Sequence, residues 1–80
     1  MKNLTYPATF VQDGNYIFVE FPDVLGAFTQ GKDLEEAHEK AKEVLKLVLY
    51  DMKKHPESTP IKELQLLQPE KEVVLITIDL

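Results

Sequence analysis

Eighty residues, 44% hydrophobic and 29% charged, suit one ordinary globular domain and leave no room for a second. Such a chain buries only a thin core, and without cysteine neither a disulfide nor a thiolate metal site reinforces it. Fourteen acids against nine bases, every base a lysine, give a net charge of −5. That balance speaks against sequence-specific nucleic-acid binding and suits solubility or a basic partner.

The first strong local signal is Gln12-Asp13-Gly14-Asn15, with Asp-Gly set between alternating apolar runs. It predicts a two-residue type I′ hairpin with Asp13 and Gly14 at the tip. Phe10 then faces Ile17, Ala8 faces Val19 and Tyr6 faces Phe21, all on one apolar face. The opposite face, with Val11, Thr9, Tyr16, Phe18 and Glu20, is mixed. Pro22 ends the second strand, Asp23 and Gly26 mark a turn, and residues 27–30 read as a short third strand that Gly31 breaks.

Asp33 with Glu36 forms a capping-box pattern. Leu34, Ala37, Ala41, Val44, Leu45, Val48 and Met52 follow at helical spacing, predicting a helix over 33–54. Glu36 and Lys40 add an i,i+4 pair, and Lys53, Lys54 and His55 suit the negative end of the helix. Residues 55–72, with Pro56, Pro60 and Pro69, read as a connector in which Ile61, Leu64, Leu66 and Leu67 pack as a short turn or strand. Residues 73–80 are nearly all apolar or β-branched, the pattern of a central strand buried on both faces. The order strand, strand, strand, helix, strand implies an α+β domain with one helix across one face of a four-stranded sheet. Its expected core is Phe10, Ile17, Val19, Phe21, Val44, Leu45, Val48, Ile76 and either Val74 or Leu75. Val11, Tyr16 and Phe18 on the second hairpin face, together with so small a core, predict a homodimer or higher oligomer.

Signals for catalysis are weak. Ser58 is the only serine, with no base–orienter pair in view, and His38 and His55 sit near opposite ends of the predicted helix. The glycines Gly14, Gly26 and Gly31 form no phosphate-binding fingerprint, and each is assigned to a turn. Glu20, Asp23, Asp51 and Asp79 come from different elements and offer the alternative of a metal-dependent nuclease if they converge on Mg²⁺. Scattered surface acids are the simpler reading, so no enzyme, cofactor or metal is expected. Neither a membrane span nor a signal peptide is read from the chain, and the cytoplasm is the expected location.

Tyr6-Pro7-Ala8, Asp13-Gly14, Phe21-Pro22-Asp23, Gly26, Phe28-Thr29-Gln30-Gly31 and Leu34-Glu35-Glu36-Ala37 with Ala41 resemble the N-terminal domain of the HicB antitoxins. The block from Phe21 to Ala41 is the specific part; the family often has cysteine where this chain has Ala27. The resemblance implies a partial ribonuclease-H-like sheet with one helix. It also implies that the chain silences a HicA-type toxin, a small basic protein that cleaves mRNA with a histidine; a solitary HicB-like binding module with another partner is the alternative within the family. Many family members carry a further DNA-binding module, helix-turn-helix or ribbon-helix-helix, and none follows Leu80, so residues 1–80 are expected to be a single HicB-like domain. Under this reading the acidic surface becomes complementarity to the toxin.

The expected toxin-binding residues are Asp23, Gly26 and Phe28 in and after the turn, with Glu35 and Glu39 near the helix start. Asp23 follows Pro22, which restricts the chain and presents the carboxylate at low entropic cost. Such a carboxylate mimics RNA phosphate; equally, Asp23 simply caps its own turn.

Overall fold

A computed structural model describes residues 3–80. Strands β1 (Asn3–Asp13), β2 (Tyr16–Glu20) and β3 (Phe28–Gly31) precede helix α1 (Leu34–Tyr50), a short helix α2 (Ile61–Leu67) and strand β4 (Glu72–Asp79). The sheet is antiparallel throughout, in the order β3-β2-β1-β4. The α+β class and the strand order along the chain are as expected.

The hairpin register differs from the expected one by two residues. Asp13 pairs with Tyr16 and Phe10 with Val19, so Gly14 and Asn15 make the tip. Gly14 has φ +61 whereas Asn15 is not in the positive region, the pattern of a II′ turn, which needs positive φ only at its first central residue. Gln12 clamps this turn by donating from Nε2 to the carbonyls of Gly14 (2.9 Å) and Tyr16 (3.3 Å). Because strand side chains alternate with period two, a two-residue slip leaves each side chain on its expected face. Extending the register further would set Pro7 opposite Pro22, and the β1–β2 pairing stops short of that donor-poor pair.

Tyr6, Ala8, Phe10, Ile17, Val19, Phe21, Ile76 and Ile78 form the floor of the core, closed by Ala37, Ala41, Leu45 and Leu49 of α1. Val24 and Ala27 from the turn join them. Val44, Val48 and Val74 pack only at its margin, and Leu75 is exposed. Leu34, the first residue of α1, is exposed as well. The cap is the expected box: Glu36 N–H donates to Asp33 Oδ1 (2.8 Å), and Glu36 Oε1 accepts from Lys32 N–H (3.0 Å).

Helix α1 stops at Tyr50, four residues early. The Leu49 carbonyl accepts from Met52 N–H (3.1 Å) and from His55 Nε2 (3.0 Å), which closes the last turn. The connector holds α2, which the proline-rich composition hid. Pro7 and Thr9 point away from α1 and are nevertheless buried. Helix α2 packs against β4, and its buried Leu64 stands apart from the α1-side core, so this segment forms a second, smaller layer. The central position expected for the last strand belongs to β1, and β4 is an edge strand with only Ile76 and Ile78 buried.

Candidate interaction surface

Between β2 and β3 the chain closes a compact loop. Phe21 N–H donates to the Ala27 carbonyl (3.0 Å), Val24 N–H to Phe21 (3.1 Å) and Ala27 N–H to Val24 (3.1 Å). Phe21, Val24 and Ala27 point into the core, which forces the residues between them outward. Gly26 takes φ +88 at the apex, and Leu25 beside it is 92% exposed. Phe28, the first residue of β3, is 58% exposed and lies against Phe18 with ring centroids 6.3 Å apart.

Asp23 is half-buried, and both its carboxylate oxygens are engaged. Oδ2 accepts from Thr59 N–H (2.7 Å) and Oδ1 from the Thr59 hydroxyl. The Tyr6 hydroxyl donates to the Pro56 carbonyl, a second tie to the same connector. Burial, and then the Asp23 carboxylate nearby, push the Tyr6 phenol above its ordinary value. Two long-range tethers thus fasten the connector, one to the turn through Asp23 and one to β1 through Tyr6. Beside them is an open groove of about 470 Å³ lined by Asp23, Leu25, Met52, Lys54, His55, Pro56 and Glu57.

The expected binding residues fall into two groups. Asp23, Gly26 and Phe28 gather at the end of the sheet where β2 gives way to β3. Glu35 and Glu39 are exposed in the first half of α1, which starts beside Gly31 at the other end. Leu25 and Thr59 were not singled out from the sequence. Leu25 had a usable signal, a large apolar residue at a turn apex; Thr59 had none, since its partner lies 36 residues away. Among the described residues, no three or more of His, Asp and Glu come close enough to hold a metal ion, so Glu20, Asp23, Asp51 and Asp79 do not form one centre. No helix among the described residues is long and apolar enough to cross a membrane.

No family model matches the chain. It is 49% identical over 47 residues to antitoxin HicB 1 of Photorhabdus laumondii subsp. laumondii, a match covering 56% of this chain and 30% of that protein. The matched segment is therefore under a third of that relative's length. In structure the chain is similar to the N-terminal domain of Burkholderia pseudomallei antitoxin HicB, with TM-score 0.74 and 20% identity over 96% of this chain and 100% of that one. It is also similar to a chain of a toxin–antitoxin complex from Streptococcus pneumoniae, with TM-score 0.77 and 24% identity over 98% of this chain and 70% of that one. A third likeness is to a chain of the HicA3 and HicB3 toxin–antitoxin complex, with TM-score 0.63 and 17% identity over 95% of this chain and 96% of that one. The chain thus resembles the HicB antitoxins in sequence and has the fold of the HicB N-terminal domain.

Proposed function

We propose that this chain is an antitoxin that binds and neutralises a small basic HicA-type toxin by covering its RNA-binding or active surface. The observation that carries this reading is the 49% identity to antitoxin HicB 1, joined to a fold also found in toxin–antitoxin complexes. The role is one of binding rather than chemistry. The net charge of −5 supports it, because a protein that grips RNA phosphate must present cations that an acidic partner can meet.

The docking surface we propose centres on Leu25, Gly26 and Phe28, with the Asp23 carboxylate behind them. Its neutral hydrogen-bond donors position that carboxylate without cancelling its charge. Glu35 and Glu39, exposed at the far end of α1, act through the long-range field that steers a basic partner. Co-expression with a HicA-type toxin encoded beside it tests the reading. Co-purification and relief of growth arrest are expected; a toxin that stays free and active in the presence of folded chain would overturn it.

A further inference from the structure

Among the described residues, strand β4 has β1 on one side only, and its eight residues have no strand paired on the other. The two-residue turn makes Asp13 and Tyr16 a hydrogen-bonded pair, so odd-numbered residues of β1 turn their N–H and C=O toward β2. Even-numbered residues turn theirs toward β4, through the pairs Tyr6 with Ile76 and Ala8 with Val74. The backbone groups of Val73, Leu75 and Thr77 therefore point outward from the sheet. Residues 73–78 contain no charge, no proline and no glycine, the devices that normally protect such an edge. At the opposite edge β3 has only four residues.

We infer that a second copy of this chain pairs here, β4 against β4 and antiparallel, about a two-fold axis through Leu75. Outward-facing odd residues must meet outward-facing odd residues, which restricts the possible registers. With Leu75 on the axis, Val73 faces Thr77 of the other copy, and the Lys71 side chain, in the turn just before β4 where its N–H is held by the Gln68 carbonyl, comes opposite Asp79, so the apolar run is closed at both ends by opposite charges. Moving the axis to Val74 or Ile76 loses both ion pairs, because Asp79 then falls opposite Pro69 or Val73. Leu75, 51% exposed in the single chain, covers its own copy at the centre. The result is one continuous sheet, four strands from each copy, with no open β4 edge.

The full chain lacks cysteine, so Leu75→Cys introduces a single thiol at the axis. Sedimentation at about 100 µM should give a dimer of roughly twice 9.2 kDa. Mild oxidation should cross-link Leu75→Cys and leave Gln30→Cys, on the opposite edge, uncross-linked. Lys71→Glu should weaken the dimer about tenfold with melting of the single chain unchanged, and adding Asp79→Lys should restore it. Should Leu75→Cys fail to fold, a mixture of Val73→Cys and Thr77→Cys reads the same register. A chain that stays monomeric, a dimer indifferent to Lys71→Glu, or cross-linking through Gln30→Cys alone would overturn the inference.

Discussion

Gly26 and Gly31 stand five residues apart and exclude a side chain for different reasons. At Gly26 the backbone is in the left-handed region at φ +88 and space around it is open. Gly26→Ala should therefore cost about 1 kcal/mol through conformation alone. At Gly31 the space is missing: a Cβ would lie 2.4 Å from the Ala37 amide nitrogen and 2.7 Å from its Cα. Gly31 is thus the contact that lets α1 cross close over β3, not the turn residue its sequence position suggested. Gly31→Ala should cost about 3 kcal/mol, because the obstruction is helix backbone and cannot rotate away. Paired thermal melts of the two variants check this ranking. Tyr6 offers a test by pH. Burial and the Asp23 carboxylate raise its phenol above the ordinary 10.0, so the neutral form is favoured in the folded state. That stabilisation is intact below the unfolded value and is lost as pH rises through the folded one. Tyr6→Phe should flatten the alkaline fall in stability, measured by urea unfolding between about pH 8 and about pH 11.

At the scale of elements, α1 is held by the stripe Ala37, Ala41, Leu45 and Leu49, all fully buried. Leu45→Ala should cost about 3 kcal/mol, whereas Val48→Ala, at the margin of the core, should cost about 1 kcal/mol. Asp33→Ala should cost about 1 kcal/mol by freeing the Glu36 amide. Denaturant midpoints of the three variants check the order. Helical periodicity made Ala37, Ala41 and Leu45 legible, yet it passed over Leu49 and could not tell Leu45 from Val48, since each lies at a permitted spacing. The presence of a two-residue turn and the alternation of β1 and β2 were legible because both are local, whereas the tip moved from Asp13-Gly14 to Gly14-Asn15 and the turn type with it. What escaped depended on distant partners. Helix α2 is seven residues long and defined by packing on β4, so its own propensity is a weak signal. The apolar run of β4 looked central because composition does not record a strand's place in the sheet order, and β4 has α1 on one face and α2 on the other although it lies at the edge. At the candidate surface, the turn around Asp23 and Gly26 was legible, whereas the Thr59 tether was invisible to any local pattern.

For the whole molecule the open question is what Asp23 does when a partner arrives. Its carboxylate has two duties, holding the connector through Thr59 and carrying a negative charge beside an exposed leucine. Substitutions separate the two. Thr59→Val removes the hydroxyl donor but leaves the charge, so it should lower stability by about 1 kcal/mol and leave toxin affinity nearly unchanged. Asp23→Asn keeps an acceptor for Thr59 but removes the charge, so it should weaken toxin binding more than it lowers melting. Leu25→Ser touches neither duty. At 92% exposure Leu25 contributes little to the fold, and its removal should weaken binding about tenfold by taking away an apolar anchor. Glu35→Gln with Glu39→Gln should slow association and flatten its salt dependence while leaving dissociation unchanged, as expected of charges outside the contact. Surface-immobilised toxin, with association and dissociation read at two salt concentrations, measures all four variants. Thr59→Val weakening binding as strongly as Asp23→Asn would reduce Asp23 to a structural tether. Leu25→Ser binding like the unaltered chain would move the docking surface away from this turn.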